Sequence, residues 1–174
     1  MILYKPPQKL PQPLQQPSIF LAGSIEQGTA EDWQTKTEKA FKDEDCTILN
    51  PRREEWDSSW VQSIDNPQFN EQVTWELDAQ ERANFILMYF DPKTKSPITL
   101  LELGLFAMTA GGELIVCCPE GFWRKGNVDI VCRRYSLQVA QTLDQLIKIG
   151  LYLVQNWNGE RYEREREAIL DRMG

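Results

Sequence analysis

The apolar positions of the chain fall into short continuous runs separated by longer amphipathic stretches. Residues 18–22, 47–49, 85–90 and 114–118 are almost wholly apolar, and turn-forming residues follow them. Runs this short and this uniform predict strands covered on both faces, as in a parallel sheet. Helical spacing fills the intervals. Over 29–42, Trp33, Thr37, Ala40 and Phe41 share one side. Residues 69–83 predict a second helix, 98–110 a third closed by Gly111-Gly112, and 136–149 a fourth. Residues 151–154 predict a fifth strand, and 160–173 a charged terminal helix laced with Glu/Arg pairs. Long connections are expected at 52–67, 91–97 and 122–129. The alternation predicts an α/β fold. It should be a doubly wound, flavodoxin- or Rossmann-like parallel sheet of about five strands, with helices on both faces.

Residues 1–17 stand apart. Pro6, Pro7, Pro11, Pro13 and Pro17 forbid a helix and spoil a strand, so an extended arm is expected, loose or laid across a neighbour. The single catalytic domain is then residues 18–174.

In a sheet of this kind ligands bind beyond the carboxyl ends of the strands. That places the candidate residues in the segments just after them. Gly23-Ser24-Ile25 follows the first strand, where a glycine lets the backbone approach a ligand and a serine can bond a sugar or phosphate; the same residues also describe a plain turn. Asn50, Arg52, Trp56 and Asp57 follow the second strand, with an aromatic face for stacking and polar groups to read a base edge. A loop whose Trp merely covers the core fits them too. Asn127 and Asp129 lie in the aromatic and polar segment after the fourth strand, which either covers a pocket or is a surface loop.

One position breaks the apolar pattern. Glu102 sits among Leu100, Leu101, Leu103, Leu105 and Phe106, so burial is expected. A buried carboxylate must be paired, neutralised or used. Near a helix N-terminus it can stay ionised and act as a nucleophile toward an anomeric carbon; capping or salt-bridging a neighbour is the other reading.

Composition narrows the chemistry. The chain has no histidine, and its four cysteines form no CxxC pair. Histidine triads, histidine bases and histidine-ligated metal sites are therefore excluded, no zinc site is expected, and Cys117 and Cys118 are expected to be reduced core residues. The net charge of −7 disfavours a nucleic acid polymer. No apolar run reaches membrane-spanning length and no secretory signal opens the chain, so a cytoplasmic protein is expected.

Several of these residues carry a family resemblance. Ser96, a short spacer and Glu102-Leu103-Gly104 resemble the signature of the nucleoside 2-deoxyribosyltransferase superfamily, which also holds deoxynucleotide N-glycosidases. Phe20 to Ile25 resembles its first strand and ligand loop, Trp75-Glu76-Leu77 with Asn84 its acid-bearing helix, and the likeness runs from about Ser18 to Asp129. The resemblance implies Glu102 as nucleophile and Glu76 as the acid that holds and protonates the base, with help from Asp57. It implies Ser24, Ser96 and Asn127 on the sugar, Asn127 from an adjacent subunit, and hence a homo-oligomer. The implied reaction moves a 2-deoxyribosyl group between nucleobases with retention at C1′. Its substrates are 2′-deoxynucleosides and free bases. The alternatives are an N-glycosidase and a non-catalytic nucleotide sensor. Departures are Ser96 where transferases carry Asp, Ile98 where a Gly is usual, and Gly174 in place of an aromatic terminus.

Overall fold

The computed structural model describes residues 1–25, 30–55, 57, 59–108 and 113–160. Within them the chain runs β1 (Ile2–Tyr4), β2 (Ser18–Gly23), α1 (Trp33–Phe41), β3 (Thr47–Leu49), α2 (Pro67–Arg82), β4 (Phe85–Tyr89), α3 (Pro97–Phe106), β5 (Leu114–Cys117), α4 (Lys125–Arg134), β6 (Gln138–Ala140) and α5 (Leu143–Gln155). All six strands are parallel, in the order β1-β3-β2-β4-β5-β6. The fold is doubly wound and Rossmann-like, as the alternation predicts.

The pleat sorts each strand between two cores. In β2, Ile19 and Leu21 face one layer while Phe20 and Ala22 face the other; in β4, Phe85, Leu87 and Tyr89 oppose Ile86 and Met88. One layer is α1 and α5, through Trp33, Phe41, Leu146 and Ile147. The other is α2, α3 and α4, through Trp75, Ala79, Leu103, Val128 and Cys132. The four cysteines are free and buried.

The structure corrects four expectations. Residues 151–154 are not a strand but the last turns of α5, and the strand that follows β5 is β6, inside the stretch expected to be helical. Thr142 caps α5 by accepting from the Gln145 N–H at 3.2 Å, so the helix begins only there. The segment 122–129 is not all loop, because α4 starts at Lys125 and carries Asn127 and Asp129. In α1, Trp33, Thr37 and Phe41 turn inward but Ala40 is exposed. The arm supplies β1, the strand at the outer edge. Its prolines begin only at Pro6, leaving the first residues able to pair: the Ile2 N–H donates to the Cys46 carbonyl at 2.8 Å, and the Asn50 N–H to the Tyr4 carbonyl at 3.0 Å. The rest of the arm straps α2, where the Trp75 indole donates to the Gln8 carbonyl at 2.8 Å, and Leu14 is buried in the core. The charged helix expected over 160–173 lies, from residue 161 on, outside the described residues, as do Gly111 and Gly112.

β2 ends where the chain passes closest to β4. At Gly23 the φ is +148°, and a Cβ there would stand 2.3 Å from the Tyr89 carbonyl oxygen and 3.0 Å from the Trp33 ring. Only glycine fits. Gly23→Ala should therefore lower the unfolding free energy by about 2–4 kcal/mol through strain and overpacking. Urea denaturation checks this; an unchanged midpoint would mean that the two strand ends separate without cost.

Candidate functional site

The order of connection reverses between β2 and β4, since β2 continues outward to β3 and β4 continues to β5. A crevice forms at such a switch point, beyond the carboxyl ends of the two strands. The residues that emerge there are Ser24 and the segment 91–96. Their hydroxyls meet in a closed triangle: Ser24 Oγ to Ser96 Oγ at 2.5 Å, Ser24 Oγ to Thr94 Oγ1 at 2.9 Å, and Thr94 Oγ1 to Ser96 Oγ at 2.7 Å. The Asp91 N–H donates to Ser24 Oγ at 2.9 Å, and the Asp91 carboxylate accepts the Glu31 and Lys93 N–H groups, each at 2.8 Å. Ser96 sits at the start of α3 in the left-handed region, with φ 44°, and its side chain does not cap the helix. That conformation turns its hydroxyl inward to Ser24. The network fixes the direction in which α3 leaves the sheet.

α3 carries Glu102 into the layer. The residue is 8% exposed. Its Oε1 accepts from Gln80 Nε2 on α2 at 2.8 Å. One turn before Gln80 on the same helix is Glu76, partly buried, whose Oε1 accepts from Gln72 Nε2 at 2.7 Å. Gln72 Nε2 also donates to the Pro51 carbonyl, just past β3, at 2.8 Å. Spacing of four residues puts Gln72, Glu76 and Gln80 on one face of α2, toward α3 and the strand ends.

No Lys or Arg pairs with either glutamate among the described residues. Burial pushes Glu102 up to about 8; the Glu76 charge adds to the rise and the Gln80 amide opposes it. Burial likewise pushes Glu76 up to about 7 against the opposing Gln72 amide. Both glutamates are thus held toward their neutral forms by burial, Glu102 the more strongly. The expectation that the helix N-terminus keeps Glu102 ionised is corrected: Glu102 lies beyond the first turn of α3, where the dipole fades, and burial dominates. Nor do the surrounding leucines all bury it. Leu103 is in the core, while Leu101 and Leu105 are 59% and 50% exposed.

The other candidates are scattered. Asn50 is fully buried and structural: its side chain donates to Glu38 at 2.6 Å and accepts the Arg52 N–H at 2.9 Å. Arg52 pairs with Asp32 at 3.1 Å. It lines a cleft of about 430 Å³ with Lys5, Asp32, Thr35, Arg53 and Glu54; neither this nor a second cleft of about 520 Å³ beside the arm is lined by Glu76 or Glu102. Asp57 is exposed; the Ser59 hydroxyl, and after it the Ser59 N–H that donates to it at 2.8 Å, hold its carboxyl below the usual range. Trp56 lies outside the described residues. Asn84 ties the strands, accepting the Ser18 N–H at 2.8 Å. Ile25 is partly buried next to Ser24. Asn127 is exposed on the first turn of α4, and Asp129 accepts Lys125 Nζ at 2.9 Å.

Sequence reasoning missed Gln72, Gln80 and Thr94. The first two were visible as residues four positions either side of Glu76, a spacing that puts an amide on each side of an acid. Thr94 gave no such signal. Among the described residues no cluster of three or more His, Cys, Asp or Glu could hold a metal, and no helix is long and apolar enough to cross a membrane.

The raised acidities carry a stability consequence. Unfolded glutamates lose their protons near pH 4.3, whereas the native pair keeps them until about pH 7–8. The native state therefore binds more protons between these limits, and stability falls as pH rises through them. Glu102→Gln should raise Tm over the parent at pH 8, by about 2–4 °C for each kcal/mol of the relieved penalty. The gain should vanish below pH 4. Equal gains at both pH values would show that Glu102 is not buried in its charged form.

A family described as nucleoside 2-deoxyribosyltransferase-like matches residues 16–122, which include Ser24, Glu76, Ser96 and Glu102 but stop short of Asn127 and Asp129. No curated protein matches the chain. With the greater part of its length matched, and with a doubly wound parallel sheet, the chain belongs to the nucleoside 2-deoxyribosyltransferase-like family.

Proposed function

We propose that the protein cleaves the N-glycosidic bond of a 2′-deoxynucleoside and transfers the deoxyribosyl group to a second base, with Glu102 as nucleophile and Glu76 as acid and base. The observation that carries this reading is Glu102 itself: a buried carboxyl with no cation partner among the described residues, held by an amide of the helix that also carries Glu76. A double displacement needs one carboxylate to attack and one carboxylic acid to protonate the leaving group, so in this reading the proton that burial keeps on Glu102 passes to Glu76 before attack.

In the first half-reaction the Glu102 carboxylate bonds to C1′ while the C1′–N bond breaks, and the departing nitrogen takes the electron pair and the Glu76 proton. In the second, an incoming base gives its proton to Glu76 and its nitrogen attacks C1′, releasing Glu102. Two inversions give retention. A sugar without an electron-withdrawing 2′-hydroxyl forms the oxocarbenium-like transition state more readily. No cofactor is required. The acidic surroundings of Glu102 favour an uncharged nucleoside over its 5′-monophosphate. In this reading Ser24, at the end of β2, and Ser96, at the start of α3, hold the sugar hydroxyls. Water in place of the second base would make the same chemistry a hydrolysis.

The reading also includes self-association. Ile98, Leu101 and Leu105 on α3 are at least half exposed, and Val73 and Leu77 on α2 and Ile130 on α4 are exposed as well. Among the described residues α1 and α5 carry no comparable apolar row. A second copy seated on these residues would cover them and bring an exposed Asn127 near a neighbouring site.

Incubation of a 2′-deoxynucleoside with and without a free acceptor base should give base exchange only with the acceptor, and Glu102→Ala should lower exchange by about 10³-fold or more. Release of free deoxyribose at an equal rate without acceptor would replace transfer by hydrolysis. A slow 2′-fluorinated nucleoside should leave a sugar adduct that mass spectrometry locates on Glu102; an adduct elsewhere removes the assignment. Leu101→Lys should shift the protein to a lower mass in light scattering and reduce exchange. A monomer with full activity would take Asn127 out of the reaction.

A further inference from the structure

Gln80 is 2% exposed and belongs to no core cluster. Its amide nitrogen donates to Glu102 Oε1 at 2.8 Å and points its second hydrogen toward the Glu76 carbonyl at 3.4 Å. Its Oε1 is buried with no partner. With Glu102 ionised, as attack requires, both neighbours of the nitrogen are acceptors, so a flipped amide would set oxygen against oxygen. An amide that leaves its own carbonyl unsatisfied while spending its N–H on a carboxylate is held for the carboxylate. Gln72 stands in the same relation to Glu76, donating at 2.7 Å with its own Oε1 buried and unpartnered.

We propose that Gln80 is the positioning residue of Glu102: its amide holds Oε1, favours the ionised carboxylate, and leaves Oε2 as the atom that bonds to C1′. This rests on Glu102 being the nucleophile. A carboxylate free to rotate about its last torsion presents either oxygen in many directions, whereas one oxygen fixed by a donor aims the other. The donated hydrogen bond also favours the charged form over the neutral one in a site where burial and Glu76 oppose it. In the ester intermediate Oε2 carries the sugar and Oε1 becomes the carbonyl oxygen, which still accepts from the same amide. Gln80 thus keeps one partner through both half-reactions and needs no movement.

The test is Gln80→Met, which keeps the length and volume of the side chain and removes the donor. Gln80→Ala, which leaves space rather than filling it, is the companion variant if Met does not fold. The expected result is a fall in kcat/KM of about tenfold, with the acidic limb of its pH profile displaced upward by as much as about one unit, since a tenfold population change corresponds to one pKa unit. In a Glu102→Gln background the same change at position 80 should alter residual activity by less than twofold, because the partner it serves is gone. A folded variant with kcat/KM within twofold of the parent and an unmoved acidic limb overturns the proposal. The two levels of the argument separate cleanly. If Glu102→Gln keeps full turnover, the nucleophile reading fails; if Glu102→Gln is inactive while Gln80→Met is unchanged, Gln80 alone loses its role.

Discussion

A buried glutamate on α3 and a partly buried one on α2, with amides rather than cations for partners, are the constraint around which this molecule is arranged. Desolvation and mutual repulsion both disfavour their charges, and only Gln72 and Gln80 answer. A lysine or arginine in place of an amide would hold the carboxyl it faces ionised, as ion pairs do. An amide is polar enough to make burial tolerable yet too weak to force ionisation. The site therefore stays poised near neutrality, at a cost in stability that the two well-packed cores must offset.

The fold supplies what the pair needs. Gly23 lets β2 and β4 run close enough for the Ser24 hydroxyl to reach Thr94 and Ser96, and that triangle sets the entry of α3. α3 then presents Glu102 to α2. α2 is itself pinned from outside by the arm, through Trp75 and Gln8, and from inside by Ala79 in the core. Each side chain of the site thus owes its position to a different element, and rigid helices hold them all. The N-terminal residues, rich in proline and remote in sequence, take part in that framework as an edge strand and a strap.

Membership of the nucleoside 2-deoxyribosyltransferase-like family gives this arrangement its chemical setting. The acid pair lies on α2 and α3 within the matched stretch, whereas the elements that differ most from expectation, β6 and α4, follow it. The apolar stripe of α3 runs beside the face that carries Glu102, so the proposed chemistry and the proposed assembly use two sides of one short helix.

Much of this was written in the order of residues. The four apolar runs at 18–22, 47–49, 85–90 and 114–118 are strands because a uniformly apolar segment of that length has no solvent-facing side to form an amphipathic helix. The solitary acid at 102 marked itself by standing where only apolar residues belong. Short β6 and the α5 terminus were misread because Leu151 to Val154 is apolar enough for a strand, and only the register of α5 on the sheet shows that it continues a helix. The sequence could name Glu76 and Glu102 separately, but not their meeting. Their acidity depends on distance, burial and the glutamines between them, and those are properties of α2 packed on α3, which no local pattern contains.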